Sequence, residues 1–144
     1  MPEAFLETWD HAGVQRPYSD RFKGHSLFIS YENADPAASL FFAQLLGGKL
    51  RARGLRHTSH YAEAFMGFRK RELVDPEAGV YRYDQLRVLR EARMPAVLFE
   101  AGSIIHRGEE LEVASPKRHA LVAATVTQAV ELFCAAKSPS LAQR

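Results

Sequence analysis

Apolar side chains recur at helical spacing in two stretches of the chain. In the first, Asp35 is a favourable N-cap and Pro36 suits the first helical position. Phe42, Leu46 and Leu50 then repeat every four residues, which gives the predicted helix one apolar face. In the second stretch, a Ser-Pro pair at 115–116 precedes a longer apolar stripe of Leu121, Val122, Thr125, Ala129, Leu132 and Phe133. The pattern therefore predicts two amphipathic helices.

Three glycines affect where the first of these helices ends and how stable it is. Gly54 is placed to end it, as the residue after the C-cap that adopts a left-handed conformation. Gly47 and Gly48 lie inside it, where each glycine costs about 1 kcal/mol relative to alanine. We expect either that a neighbouring backbone comes close at this pair or that the helix is weak.

Two short apolar runs predict buried strands. Leu27, Phe28 and Ile29 form the centre of the first run, within the segment 24–31. The second run, 96–99, has no polar alternation, which is typical of a strand that is packed on both faces.

Glu100 follows the second run directly. It is therefore predicted to lie at the carboxyl end of a strand, the edge where open α/β sheets bind ligands. An acid at that edge suits the role of a general base. The alternative is a structural carboxylate that caps the next turn or pairs with an arginine.

The other segments give weaker signals. Residues 1–23 are interpreted as an irregular segment with at most one helical turn, 55–61 as a short strand and 62–79 as a long loop. A helix is expected to carry Leu86, Val88, Leu89 and Ala92. Residues 137–144 are expected to form a frayed tail. The order of elements predicts an α/β fold whose mostly parallel sheet is flanked by helices. We expect a single domain over residues 1–144.

Composition and charge narrow the possible functions. Hydrophobic residues make up 47% and charged residues 25% of the chain, as in ordinary globular proteins, and the net charge of +2 predicts no nucleic-acid surface. No uninterrupted apolar run approaches the ~18 residues of a membrane span, so none is expected. The lone Cys134 excludes a disulfide framework and a thiolate metal site, and we expect it to be a small core residue.

One motif resembles a known family. The segment 95–102, Pro-Ala-Val-Leu-Phe-Glu-Ala-Gly, is followed by Glu109, Glu110 and Leu111. It is similar to the closing motif of the zinc-dependent N-acetylmuramoyl-L-alanine amidases of the amidase 3 type, and segments 24–50 and 79–84 also resemble that family. The resemblance implies a zinc amidase/carboxypeptidase-like three-layer fold, of which this chain is the C-terminal portion and therefore incomplete.

The same resemblance implies a chemistry and a location. Glu100 would be the catalytic glutamate, which acts with a zinc-bound water on the amide between muramic acid lactyl and L-alanine. The partners would be the peptidoglycan stem peptide and glycan, and the location would be the periplasm or cell envelope. The first residues have neither a basic n-region nor an apolar h-region, so we expect no secretory signal in this chain and a cytoplasmic location if it is the whole product.

The zinc ligands of the family are not found in this sequence. A catalytic zinc takes three protein ligands and a water, and the family's two histidine-bearing strand ends have no counterpart. The segment 28–32 ends in Glu32, but it fits the strand that follows the metal-binding one better. The pairs His60 with Glu63 and His106 with Glu109 are each too small for zinc, although His60 and Glu63 are candidates for binding substrate. The basic run 69–71 is either a solvated loop or a contact for anionic stem-peptide carboxylates.

Three hypotheses follow. The chain is the C-terminal part of a zinc amidase, or a catalytically inactive cell-wall-binding or regulatory module derived from one, or an unrelated α/β domain in which Glu100 is structural. If strands are missing, one of the apolar strands is left with an unpaired edge, and we expect self-association there or pairing with the complementary half.

Overall fold

The secondary structure was obtained from a computed structural model, which describes residues 3–137. The four α-helices are α1 (Pro36–Ala52), α2 (Arg87–Glu91), α3 (Arg107–Val113) and α4 (Pro116–Lys137). The strands are β1 (Glu7–His11), β2 (Val14–Tyr18), β3 (Ser26–Ile29), β4 (Glu72–Asp75), β5 (Val80–Arg82) and β6 (Leu98–Glu100). Short 3-10 helices occur at Glu3–Phe5, His60–Ala62 and Ala64–Arg69.

The main sheet has four strands in the order β4-β5-β3-β6. The α/β class with helices against the sheet is confirmed, but the expectation of a mostly parallel sheet is wrong. Only β3 and β5 pair in parallel, whereas β4–β5 and β3–β6 are antiparallel. Only four residues join β4 to β5, and a connection that short can only form a hairpin.

Each face of this sheet has its own apolar cluster. On one face Leu27, Ile29 and Val80 pack against α1 and against Ala129 of α4. On the other face Phe28 and Tyr81 form an aromatic cluster that includes Tyr61, Tyr83 and Leu98. The apolar run 96–99 contributes to both clusters, as predicted, although its residues are only half-buried because β6 is an edge strand.

The signals for α1 are confirmed. The Asp35 side chain accepts a hydrogen bond of 3.0 Å from the backbone N–H of Ala38, and Gly54 follows the helix with a φ of +80°. A Cβ at Gly47 would overlap the backbone of Ala78, whereas one at Gly48 would meet nothing within 4 Å. The close approach that was one of the two expected explanations therefore applies to Gly47 alone.

Three segment predictions are wrong. The segment 1–23 contains the hairpin β1–β2, the predicted loop 62–79 contains β4, and the predicted strand 55–61 is only one bridge between His25 and His57. The first hairpin turns at Ala12 and Gly13, both at positive φ, and Asp10 accepts a hydrogen bond from the Gly13 N–H. Alanine is rare at such a position, so the sequence lacks the usual hairpin signature.

The last helix, α4, bears on the expectations about a membrane span, about Cys134 and about the C-terminal tail. By length and composition alone α4 could cross a membrane, since an 18-residue window reaches a mean hydropathy of 1.4, but this is a weak indication. Polar residues interrupt this window, which is why the sequence shows no uninterrupted apolar run of that length. The absence of a membrane span stays a prediction. Cys134 is exposed, so the expectation of a core cysteine is wrong. Of the predicted tail 137–144, Lys137 ends α4 and the rest lies outside the described residues.

We predict opposite effects of alanine at the two glycines of α1. Gly47→Ala should lower the free energy of unfolding by about 1–3 kcal/mol, because its methyl group overlaps Ala78. The control, Gly48→Ala, should raise it by up to about 1 kcal/mol, because alanine favours the helix. Urea denaturation measures both, and equal stability of the two variants would contradict the close approach at Gly47.

Candidate functional site

A cleft of about 450 Å³ opens on the aromatic face of the sheet. Its lining includes Phe28 of β3, Tyr61 and Tyr83 from the aromatic cluster, and Glu100 at the end of β6. The segment 102–105, between β6 and α3, also contributes to the lining. We call it the Glu100 cleft.

Glu100 reaches this cleft because side chains alternate along a strand. It points to the same face as Leu98, which belongs to the aromatic cluster. The phenol of Tyr61 donates a hydrogen bond of 2.9 Å to Glu100 Oε2. Burial, and then the charge of Glu100, raise the pKa of Tyr61, so the phenol stays protonated and keeps donating. The carboxylate therefore has a fixed neighbour inside the cleft.

The position of Glu100 in the sheet differs from the prediction. It is the last residue of its own strand, as predicted, but β6 is antiparallel to β3 and Glu100 pairs with Ser26, at the amino end of β3. Glu100 thus lies at the end of the sheet opposite to the carboxyl end of β3, while the cleft extends across the sheet face to Tyr83, whose backbone N–H donates to the carbonyl of Ile29 at that carboxyl end. Glu32 follows that carboxyl end, and so it lies at the other edge of the sheet.

Of the two predicted substrate-binding residues, the structure brings one into the cleft. His60 lines it, with its ring centroid 4.1 Å from that of Tyr61 and its Nδ1 2.7 Å from Thr58 Oγ1. Burial lowers the pKa of His60, which favours a neutral ring. Glu63 is not part of the lining, and its carboxylate lies 3.9 Å from the guanidinium of Arg21. A substrate role for either residue stays a prediction.

The basic run 69–71 is divided by the fold. Arg69 and Arg71 line the cleft, and Lys70 does not. The Arg71 guanidinium lies 4.0 Å from the ring centroid of Tyr83, a cation–π arrangement that fixes the orientation of this cation. Two guanidinium groups and one carboxylate therefore lie in the same cleft.

A buried carboxylate, Glu109, holds the two loops at this edge together. It is 2% exposed and accepts hydrogen bonds from the backbone N–H of Gly24, at 2.8 and 3.1 Å, and of Ser103, at 2.8 Å. The sequence analysis considered Glu109 as part of the acidic pair in the amidase-like motif and as a metal-binding partner of His106, and it did not predict this buried contact. His106 instead caps α3, since its Nδ1 accepts from the backbone N–H of Glu109 at 3.2 Å.

Within the described residues, the histidines do not form a site for zinc. Among residues 3–137 no group of three or more His, Cys, Asp or Glu side chains is placed to hold a metal ion. His25 and His57 lie on adjacent backbone segments with ring centroids 6.4 Å apart. His25 is buried, and neither of its ring nitrogens has a hydrogen-bond partner within the described part of the chain. The side chains present in this part therefore do not fit a catalytic zinc on their own.

Solved structures with the same fold exist. The N-acetylmuramyl-L-alanine amidase Ami1 from Mycobacterium smegmatis matches with a TM-score of 0.66 and 18% sequence identity, over 81% of this chain and 49% of its own. The apo form of Ami1 from Mycobacterium abscessus matches with a TM-score of 0.63 and 20% identity, over 80% and 49%. The chain shares the fold of these amidases. It spans about half of their length.

Sequence comparison adds no closer relative. No family model matches the chain, and neither does any curated protein. The identity to the two amidases is low enough that the likeness shows the fold alone. What the chain does must therefore be inferred from the side chains that this fold places in the Glu100 cleft.

We predict that His25 makes stability depend on pH. Burial in the first place, and then the proximity of His57, lower the pKa of His25 to about 4. An unfolded histidine has a pKa of about 6.5, so between these values the unfolded chain binds a proton that the folded chain does not. The free energy of unfolding should therefore fall by about 3 kcal/mol as the pH falls from 6.5 to 4.

Denaturant titrations at several pH values measure this effect. In His25→Gln the pH dependence should become much smaller, and what remains should come from other groups such as His60, whose pKa burial also lowers. His119→Gln, at an exposed position on α4, serves as the control and should behave like the wild type. An unchanged pH dependence in His25→Gln would contradict the assignment to His25.

Proposed function

We propose that the chain is the glutamate-bearing part of an N-acetylmuramoyl-L-alanine amidase, which hydrolyses the amide between muramic acid lactyl and L-alanine in peptidoglycan. The observation that carries the proposal is Glu100, which lies in a cleft at the end of β6 and accepts a hydrogen bond from Tyr61. The fold of two amidases and the motif at 95–102 support it.

In this proposal each side chain of the cleft has a task. Glu100 takes a proton from the water that attacks the amide carbonyl and later gives it to the departing amine of L-alanine. Tyr61 positions the carboxylate by its hydrogen bond. Arg69 and Arg71 pair with the carboxylates of the stem peptide, which guanidinium groups bind well. His60, neutral in the cleft wall, contacts the substrate, whereas Glu63 lies outside the lining.

Zinc belongs to this proposal only together with a further part of the protein. A bound zinc would polarise the amide carbonyl and activate a water, but the described residues do not fit such a site. The chain spans about half of the amidases that share its fold, so we propose that the ligands come from the remaining half of the domain. The cell envelope is the proposed place of action, since peptidoglycan is found there.

One observation favours a second candidate function. Because residues 3–137 provide no set of three metal ligands, the chain by itself would bind cell wall or regulate an amidase without cleaving the amide. Activity in a protein that contains both halves, with none in this chain alone, would distinguish the two candidates.

The free side of β6 is the proposed place where the missing half attaches. Strand β6 is at one end of the sheet order, so its outer edge has no strand partner among residues 3–137. An unpaired edge of apolar residues pairs readily with another strand. Either the complementary half or a second copy of this chain would cover this edge. Self-association through β6 therefore remains part of the proposal.

The role of Glu100 can be tested in a protein that joins this chain to the remaining half of the domain. Glu100→Gln should reduce the hydrolysis of purified peptidoglycan by about 10²–10⁴-fold, because an amide cannot take up the proton. The amount of bound zinc and the thermal stability should not change. Glu131→Gln, at an exposed position on α4, is the control and should retain full activity. A Glu100→Gln protein within a few-fold of the wild type would place the general base elsewhere.

A further inference from the structure

A second cleft, of about 430 Å³, lies between the β1–β2 hairpin and the start of α3. Trp9 and Tyr18 line it from the hairpin, and Ile104, Ile105, Arg107 and Glu110 line it from the other side. We call it the hairpin cleft. None of the functional assignments above uses it.

The strand register gives the hairpin an aromatic face. Trp9 lies opposite Arg16 and Tyr18 opposite Glu7, so these four side chains share one face, together with His11. The Trp9 ring is 4.8 Å from that of His11 and 6.4 Å from that of Tyr18 between centroids. Trp9 and Tyr18 are half-buried, so part of each aromatic ring remains open to a ligand.

Charged groups hold these rings in place. The Arg107 guanidinium lies 3.9 Å from the centroid of Tyr18 and 5.7 Å from that of Trp9. Asp20 orients this guanidinium and accepts from its Nε at 3.1 Å. The Tyr18 hydroxyl donates to Glu7 at 2.6 Å, and this hydrogen bond is the main reason that its pKa is raised. The aromatic surface therefore has fixed hydrogen-bonding groups around it.

The chemistry of the hairpin cleft suits a sugar. A pyranose ring has an apolar C–H face, which packs on an indole or phenol ring, and a polar rim, which hydrogen-bonds to guanidinium and carboxylate groups. A polyanion is disfavoured, because Glu7, Asp20 and Glu110 offset the two arginines of this region. A purely apolar ligand would displace water from these charged groups without offering them any hydrogen bonds in return.

The hairpin cleft also adjoins the Glu100 cleft. Ile104 and Ile105 line both clefts, so they form a shared wall between them. In the substrate proposed above, the scissile amide is attached through the lactyl group directly to a sugar. A glycan must therefore lie next to the Glu100 cleft. The hairpin cleft offers the aromatic surface that such a neighbour needs.

We propose that the hairpin cleft is a glycan-binding subsite for the N-acetylated sugars of peptidoglycan. Trp9 and Tyr18 are the stacking surface, and Arg107 donates hydrogen bonds to the ring substituents. The inference rests on the proposed amidase function for the identity of the sugar. The stem peptide would then occupy the Glu100 cleft, where Arg69 and Arg71 are found.

Trp9 makes this proposal directly testable, since it is the only tryptophan in the sequence. Chitotetraose, a neutral and peptide-free oligomer of N-acetylglucosamine, is titrated into the full chain while tryptophan fluorescence is recorded. We expect a saturable change in the emission of Trp9. Tyr18→Ala should weaken binding about tenfold, equivalent to about 1.4 kcal/mol, because the sugar loses one of its two aromatic contacts.

Two further variants keep the test independent of folding. Ile104→Ser changes a side chain that is 75% exposed, so it should fold normally and weaken binding by several-fold. Gln15→Ala lies on the other face of the hairpin and should bind like the wild type. No saturable response to chitotetraose, or equal weakening by Gln15→Ala and Tyr18→Ala, would overturn the subsite.

The outcome is separable from that of the amidase proposal. Binding of chitotetraose requires no hydrolysis, so it is measured separately from the release of peptide. If the isolated stem peptide changes the emission of Trp9 and chitotetraose does not, the glycan subsite is refuted while amidase activity can still be present. If chitotetraose binds but the joined two-half protein releases no peptide, the subsite stands and the amidase proposal fails.

Discussion

The geometry of the Glu100 cleft depends on one buried carboxylate, that of Glu109. It joins the N–H of Gly24, just before β3, to the N–H of Ser103, just after β6, and so connects loops 79 residues apart in the chain. Glycine is needed on both sides of this contact. A Cβ at Gly24, where φ is +116°, would meet the backbone at Arg56 and His57, and one at Gly102 would meet Glu109 itself. Glu100 is thus placed by close packing around a single acceptor.

The antiparallel pairing of β3 and β6 determines which groups surround Glu100 and which strand lies at the edge of the sheet. It directs Glu100 away from the carboxyl end of β3 and towards Tyr61 and the loop 102–105. It also makes β6 an edge strand whose outer side pairs with no strand among residues 3–137. In the proposed function, the remaining half of the domain would complete the chemistry at this edge. The hairpin cleft, which shares the wall of Ile104 and Ile105, extends the same edge towards the β1–β2 hairpin.

Local signals in the sequence predicted the elements that depend on local chemistry. Asp35 with Pro36 marked the start of α1, Gly54 marked its end, and the pair at 115–116 marked the start of α4. Each of these signals acts within one turn of helix, so neighbouring residues suffice to reveal it. The position of Glu100 at the end of an apolar strand was predicted in the same way.

Features that depend on distant residues were missed. The burial of Glu109 requires backbone donors from another loop, and Tyr61 finds Glu100 only after β3 and β6 have paired. The first hairpin turns at Ala12 and Gly13, and the alanine occupies a position with a φ of 54° where glycine, asparagine or aspartate is the usual signal. A glutamate at the third position of a short helix is a general signal for capping, and in this chain it serves a different contact.

Amide hydrogen exchange in Glu109→Gln tests the central claim most directly, that this carboxylate holds the cleft together. A glutamine retains one acceptor but turns an NH₂ group towards a backbone N–H, so at least one charge-assisted hydrogen bond is lost. Such a loss is worth about 1.5–3 kcal/mol. We therefore expect the amides of Gly24 and Ser103 to exchange about 10- to 100-fold faster than in the wild type, while Glu110→Gln, on the same helix, leaves them unchanged. Exchange at the wild-type rate in Glu109→Gln would contradict the account.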